Sequence, residues 1–97
     1  MIDSKQRAAL RAMANTLEPI LYIGKAGVTD SVIAEADDAL LARELIKGSV
    51  QQNAPIGARE ALDALCKATD AQPVSASGRK FVLYRRNDKE PVIKFRD

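Results

Sequence analysis

An apolar run that ends in two closely spaced glycines is the feature that most constrains the fold of this chain. Residues 20–23 read Ile-Leu-Tyr-Ile, and such a continuous run predicts a short strand covered on both faces. Gly24-Lys25-Ala26-Gly27 follows directly, and its glycines let the backbone turn tightly. Thr29 or Asp30 can then cap a helix. The segment therefore predicts a strand, a tight turn and a helix in succession, and we call residues 24–27 the GxxG loop.

Helical periodicity flanks this strand on both sides. Asp3 or Ser4 is placed to cap a first helix, Gln6 has the spacing of a capping box, and Pro19 limits the helix at its end. The inward positions predicted for the two helices are Leu10, Met13, Ala14 and Leu17 in the first and Val32, Ile33, Ala36, Ala39 and Leu40 in the second.

The second half of the chain predicts one more strand, one more helix and a hairpin. The strand covers residues 44–50 and the helix residues 57–68. Two short strands, at 73–77 and 80–85, flank a turn at Ser77-Gly78-Arg79, which is typical of a β-hairpin. The predicted order of elements is α-β-α-β-α-β-β.

This order defines the fold class. The first two strands and the helix between them form a βαβ unit, so these strands are expected to be parallel with a right-handed crossover. The hairpin adds an antiparallel pair, which gives a four-stranded mixed sheet in a single α/β domain. We place this domain at residues 1–86 and expect a loosely attached, charged tail at 87–97, with one short extended piece at 92–95.

The composition argues against an enzyme. The 97 residues include no histidine, so the usual general base near neutral pH is missing. Cys66 is the single cysteine, which leaves no internal disulfide and no zinc site, and we predict a buried structural thiol there. Asp37 and Asp38 fit a solvated helix face better than a metal site. No catalytic residue, metal or other cofactor is predicted.

Nothing in the sequence predicts an association with a membrane. Charged side chains interrupt the first fifteen residues, so no apolar stretch of signal-peptide length occurs there. The longest apolar runs, residues 20–23 and 81–84, have the length of strands and are too short to span a bilayer. We expect a cytoplasmic protein in a reducing compartment.

Charge is distributed unevenly along the chain. The net charge is +2 overall, but residues 1–27 carry +2, residues 28–78 carry −4 and residues 79–97 carry +4. If the two basic ends meet in space, they make a positive surface despite the small total. A solvated charged tail would give the same distribution.

The GxxG loop can bind an anion. The helix that follows it presents free backbone N–H groups and the positive end of its dipole, and Lys25 adds a mobile charge suited to phosphate oxygens. The loop is too short for a nucleotide P-loop and lacks the first glycine of a dinucleotide fingerprint. It is compatible with nucleic-acid phosphates, which KH modules hold with a GXXG loop, although that loop joins two helices. A purely structural tight turn is the alternative reading.

The candidate RNA-binding residues follow from this hypothesis. They are the loop residues and the basic side chains of the first helix and the last strand's end: Gly24, Lys25, Ala26, Gly27, Lys5, Arg7, Arg11, Arg85 and Arg86. Tyr22, Phe81 and Tyr84 could stack on bases, but because they lie in apolar strand-like runs we predict that they pack in the core.

The sequence resembles the YhbY family, the stand-alone form of the CRM (chloroplast RNA splicing and ribosome maturation) domain. Five matching segments occur in the same order and spacing between positions 4 and 86: Ser4-Lys5-Gln6-Arg7, Leu17-Glu18-Pro19-Ile20, Ile23-Gly24-Lys25-Ala26-Gly27-Val28-Thr29, Glu44-Leu45-Ile46-Lys47, and Gly78 with Val82-Leu83-Tyr84-Arg85. One departure is Gly48-Ser49, where the family usually has an apolar and then a basic residue. This departure puts a basic contact from the second strand in doubt.

The resemblance implies both a fold and a role. The fold would be similar to the C-terminal domain of bacterial translation initiation factor 3. The role would be RNA binding through the GxxG loop and nearby basic residues, in association with precursors of the large ribosomal subunit, without catalysis or a cofactor. We therefore predict a monomeric, non-enzymatic protein that binds large-subunit rRNA and assists subunit assembly. The alternative is a protein-interaction module that docks ribosomal proteins through the acidic side of its second helix, Glu35, Asp37 and Asp38.

Overall fold

The computed structural model describes residues 2–95, which form three helices and one four-stranded sheet. The elements in chain order are α1 (Ser4–Ala14), β1 (Leu21–Ile23), α2 (Asp30–Arg43), β2 (Leu45–Val50), α3 (Ala58–Thr69), β3 (Gln72–Ser77) and β4 (Lys80–Tyr84). The predicted order α-β-α-β-α-β-β is confirmed. In this part of the chain, no helix is long and apolar enough to cross a bilayer.

The sheet has the strand order β1-β2-β4-β3. β1 and β2 are parallel, and β2–β4 and β4–β3 are antiparallel, so the predicted mixed sheet is confirmed. Gly78 has a φ of 60° at the first central position of the two-residue connection between β3 and β4. A glycine suits this position because a type II′ hairpin turn requires a positive φ there.

Helices cover the two faces of the sheet unequally. α2 and α3 pack on one face around Leu40, Leu62 and Leu65. α1 packs on the other face, where Leu10 and Ala14 join a cluster that includes Val82 of β4. Among the strands, α1 packs mainly against β2 and β3, and the same face of β1 is left largely open.

The uneven cover corrects one prediction about β1. Leu21 and Ile23 are fully buried against α2 and α3, but the Tyr22 side chain points to the α1 face and is 55% exposed. The expectation that β1 is covered on both faces, with Tyr22 in the core, is therefore wrong. Phe81 and Tyr84 are buried as predicted.

Gly48 has a packing role in the middle of β2. It lies directly opposite Phe81 in the β2–β4 ladder, and a Cβ atom on Gly48 would lie only 2.2 Å from Cζ of that ring. The missing side chain thus gives Phe81 its place in the core. The β2–β4 ladder is regular at Gly48, and the sheet has a register shift between Pro73 and Ser75 of β3.

Glu44 joins α2 to β2 and holds the C-terminal segment. It has a φ of 65° and is fully buried. Its carboxylate accepts hydrogen bonds from the backbone N–H groups of Asn87 (2.6 Å), Val92 (2.7 Å) and Ile93 (2.6 Å). The Phe95 ring packs edge-on to Tyr84, with ring centroids 6.0 Å apart. The described part of the C-terminal segment is therefore docked on the domain.

This docking corrects the prediction of a loosely attached tail for residues 87–95, and residues 92–95 form no strand. Residues 96 and 97 lie outside the described residues. The sequence pattern missed the docking because its main polar partner, the Glu44 carboxylate, lies more than forty positions away in the chain. The domain boundary at residue 86 stays a prediction.

The Glu44 contact makes stability depend on pH. Burial raises the pKa of Glu44, but the three backbone donors and nearby Arg86 outweigh burial, so the pKa lies below the ordinary value. A carboxyl group with a lowered pKa stabilises the fold above its unfolded pKa of about 4.3, and this contribution is lost as the pH falls through the folded value.

We expect Glu44→Gln to lower the free energy of unfolding at neutral pH by about 2 kcal/mol, because charged acceptors form the stronger hydrogen bonds. Urea unfolding followed by circular dichroism measures this difference, which should shrink as the pH falls below about 4. Glu35→Gln is the control, since that side chain is exposed on α2. If the difference in free energy of unfolding between the wild type and Glu44→Gln did not change with pH, the negative charge of Glu44 would not be the source of the stability.

Candidate functional site

The GxxG loop forms a tight turn at the end of β1. The Gly27 N–H donates to the Gly24 carbonyl at 3.0 Å, which leaves Lys25 and Ala26 exposed at the tip. Gly27 has a φ of 72°, so its glycine meets a backbone requirement. The backbone does not require a glycine at position 24, because the φ of Gly24 is not positive and an added Cβ would have no atom within 4 Å. The open space beside Gly24 allows close approach by a ligand.

The start of α2 is a weaker anion site than the sequence suggested. The Thr29 hydroxyl accepts a hydrogen bond from the Val32 N–H at 3.1 Å, so one first-turn donor is already satisfied. Asp30 adds an exposed carboxylate in the same turn. Because this carboxylate partly neutralises the positive end of the helix dipole and repels other anions, binding of an anion here has to depend mainly on Lys25 and on cations outside the helix.

The GxxG loop lies at the sheet end where β1 and β2 finish and β4 begins. Tyr22 pairs with Ser49 of β2, and Ser49 pairs with Lys80, the first residue of β4. Residues directly opposite each other point to the same face of a sheet. These three side chains therefore form a row across the α1 face, beside the loop.

A basic groove continues this row toward β3 and α1. It has a volume of about 470 Å³ and contains three cations, Arg11, Lys47 and Lys80. Hydroxyl and amide side chains from α1's end and from β3 complete it, namely Asn15, Ser75 and Ser77. We call the groove formed by these six residues the basic groove.

The two lysines of the groove donate hydrogen bonds to neutral groups. Nζ of Lys47 donates to the Ala14 carbonyl at 3.2 Å, and Nζ of Lys80 donates to the Ser49 hydroxyl at 3.1 Å. Within residues 2–95, the ion pairs involve other residues, so neither lysine, nor Arg11, nor Lys25, is neutralised by a carboxylate. Positive charge is thus concentrated along one path from the loop to α1.

Lys80 supplies a positive charge next to Ser49, the β2 position at which the sequence departs from the YhbY pattern. The sequence resemblance led us to expect a basic residue at that strand position, which here carries a hydroxyl. The cross-strand partner of Ser49 is Lys80, and its ammonium group lies against the Ser49 hydroxyl. A positive charge therefore occupies this part of the α1 face although β2 does not supply it.

The structure brings only part of the predicted set of basic residues together. Arg11 lies in the basic groove, while Arg7 is one turn away, where its Nε donates to the Pro73 carbonyl at 3.3 Å. Lys5 lies on the other flank of α1, next to Lys94 and Phe95.

Arg85 and Arg86 lie at the sheet end opposite the GxxG loop, because β4 runs from Lys80, near the loop, toward Glu44. The Arg85 guanidinium donates to Asp37 Oδ1 at 2.5 Å and to the Thr69 carbonyl at 2.8 Å, and Arg86 pairs with Asp88 at 3.1 Å. The structure thus separates these two predicted residues from the loop and gives Arg85 a structural role between α2 and α3.

Asp37 and Cys66, the other side chains considered for chemistry, lie apart from this surface. Asp37 is engaged by Arg85, and no group of three or more His, Cys, Asp or Glu side chains in residues 2–95 could hold a metal ion. Cys66 is half-buried against the core, and its burial, with Asp63 nearby, raises the pKa of the thiol to about 11. The reactive thiolate is therefore scarce at neutral pH.

Comparison with known proteins gives the family. A model of the CRS1 / YhbY (CRM) domain matches residues 2–85, and the chain therefore belongs to this family, as the sequence resemblance predicted. It is 40% identical over 93 residues to the Bacillus subtilis protein named "Probable RNA-binding protein YqeI", covering 96% of this chain and 97% of that one.

Two further similarities agree with this assignment. A Haemophilus influenzae protein named "RNA-binding protein" is 31% identical over 91 residues, covering 94% of this chain and 92% of its own length. The solution structure of the hypothetical protein SAV1595 from Staphylococcus aureus matches with a TM-score of 0.82 at 35% identity, covering 99% of this chain and 100% of that chain. The α/β fold is thus shared along nearly the whole chain.

Proposed function

We propose that this protein binds RNA through backbone phosphates, which the GxxG loop and the basic groove hold along one path. The observation that carries the proposal is the convergence of Arg11, Lys47 and Lys80 in one groove, with Lys25 on the loop at the same end of the sheet as Lys80. None of these four cations is paired with a carboxylate within residues 2–95. Polyanions such as RNA bind cations of this kind by releasing counterions. The relatives in Bacillus subtilis and Haemophilus influenzae, whose names describe RNA-binding proteins, support the same function.

The proposal includes a biological role. The RNA would be large-subunit rRNA or its precursor particle, which the protein would bind in the cytoplasm as a monomer without catalysing a reaction. The family resemblance supports this role. The alternative of docking ribosomal proteins through the acidic side of α2 has less support, because the carboxylate of Asp37 is already bound by Arg85.

Lys25→Glu is the direct test of the loop. The substitution removes one phosphate contact and adds a repulsive charge, so we expect affinity for an rRNA fragment to fall about tenfold at roughly 0.1 M salt. The four cations should give the wild type a slope of about −3 in log K against log salt, and the variant should lose about 0.7 of it. Fluorescence polarisation measures both quantities.

Lys67→Glu is the matched control. Lys67 is an exposed lysine in the last turn of α3, at the sheet end away from the loop, and its reversal changes the net charge by the same amount. Co-sedimentation in sucrose gradients is the second readout: wild type and control should travel with precursors of the large subunit, whereas Lys25→Glu should shift to the top. Equal behaviour of the two variants would remove the GxxG loop from the proposal.

A further inference from the structure

Tyr22 is an exposed aromatic ring in a strand whose other side chains are buried. Its neighbours Leu21 and Ile23 are both 0% exposed, whereas Tyr22 is 55% exposed on the α1 face. Aromatic rings contribute most to stability when they are buried, so the folded protein gains little from a ring in this position. The exposure arises because α1 packs mainly over β2 and β3, so that this face of β1 is left largely open.

The ring is nevertheless held in place. The Tyr22 hydroxyl donates a hydrogen bond to the Pro19 carbonyl at 3.1 Å, which fixes the ring along the edge of the sheet. Its polar end is therefore satisfied within the protein. A side chain fixed in this way loses little conformational entropy when a flat ligand packs on it.

Phosphate-binding groups lie on two sides of this ring. Along the chain, the GxxG loop begins two residues after Tyr22, and its cation, Lys25, is three residues away. Across the sheet, Ser49 is the direct partner of Tyr22, and Lys80 is the next residue in the same row. Two strand spacings separate β1 from β4, or about 9.5 Å. A flat apolar surface between two cationic groups matches the chemistry of a nucleotide, with its planar base and charged phosphates.

We propose that Tyr22 stacks on an unpaired nucleobase, so that the RNA bound at this surface is single-stranded where it passes between Lys25 and Lys80. This inference rests on the proposed RNA-binding function and adds the conformation of the RNA to it. A base within an A-form duplex is already stacked on its neighbours, whereas an unpaired base can turn out and stack on an aromatic side chain.

The test compares Tyr22→Leu and Tyr22→Phe on two RNA probes. One probe is an unstructured oligonucleotide of roughly ten nucleotides, within the site sizes of single-strand binding proteins. The other is a blunt hairpin whose bases are paired. Tyr22→Leu should lose roughly tenfold in affinity for the single strand, as expected for one stacked base. Tyr22→Phe keeps the ring and should bind within about twofold of the wild type.

A spectroscopic readout identifies the contact itself. A single-stranded probe that carries 2-aminopurine should lose fluorescence on binding the wild type and Tyr22→Phe, because stacking quenches this base, and should lose much less on binding Tyr22→Leu. Leu41→Ala is the matched control, since Leu41 is equally exposed, at 55%, on α2. Circular dichroism and urea unfolding check that each variant is folded.

The outcomes separate this inference from the proposed function. If Lys25→Glu weakens RNA binding while Tyr22→Leu binds and quenches like the wild type, RNA binding stands and stacking is overturned. Tighter binding to the hairpin than to the single strand, unaffected by Tyr22→Leu, would also overturn stacking. If the wild type binds neither RNA probe, both the inference and the proposed function fail.

Discussion

Replacing Gly48 with valine is expected to destabilise the protein by about 3 kcal/mol, at the upper end of the cost of overpacking a core. A Cβ at this position would lie 2.2 Å from Cζ and 2.6 Å from Cε1 of Phe81, and the fully buried ring has no open space to move into without displacing its neighbours. Either the ring or β2 has to move. Urea unfolding followed by far-ultraviolet circular dichroism measures the loss, since the chain has no tryptophan.

The same contact predicts a rescue. Phe81→Leu removes the atoms that the valine would meet, so the double variant Gly48→Val with Phe81→Leu should be more stable than Gly48→Val alone. Residues in direct contact commonly show coupling energies of about 0.5–3 kcal/mol, and we expect a value near the top of this range. Additive effects of the two substitutions would show that the glycine and the ring do not share one space.

Gly24→Ala is the control for this experiment. Gly24 has no positive φ, and an added Cβ would have no atom within 4 Å. The free energy of unfolding of the Gly24→Ala variant should therefore differ from that of the wild type by less than about 0.5 kcal/mol. If both substitutions lowered the free energy of unfolding by a similar amount, the cause would be the replacement of glycine in general rather than the contact with Phe81.

Features of the fold set by residues close in sequence could be predicted, and features set by residues far apart in sequence could not. The Asp3–Gln6 capping box and the hairpin turn at Gly78 are set by residues close in sequence, and both form as predicted. The βαβ unit follows from element order and the handedness of crossovers. The two departures, the exposed Tyr22 and the C-terminal segment docked on Glu44, depend on contacts between residues far apart in the chain.

The candidate site shows the same limit. The GxxG loop could be recognised because its residues are contiguous, whereas the basic groove depends on the register between β2 and β4, which places Lys80 beside Ser49. Alternation along β2 could have shown that Lys47 shares a face with Ser49, but no local signal pairs Ser49 with Lys80. The direction of β4 likewise decided that Arg85 and Arg86 lie away from the loop.

Reversing the charge of Arg11 and Lys80 together is expected to have the largest effect on RNA binding. Both side chains are exposed, and neither is in an ion pair within residues 2–95, so the double variant Arg11→Glu with Lys80→Glu should fold normally. Loss of two phosphate contacts and gain of two repulsive charges should weaken binding about 100-fold at roughly 0.1 M salt. The slope of log K against log salt should fall by about 1.4 in magnitude.

Net charge alone could weaken binding, and a second double variant removes this ambiguity. The double variant Lys67→Glu with Lys89→Glu changes the net charge from +2 to −2, as the first pair does, because each substitution lowers the net charge by two units. Both lysines are exposed and lie at the Glu44 end of the sheet, away from the GxxG loop. The control should therefore weaken binding only through the long-range field, by less than about tenfold, and salt should screen most of that loss. If the two double variants bind RNA equally, the basic groove contributes no localised contact, and only the overall charge of the protein attracts RNA.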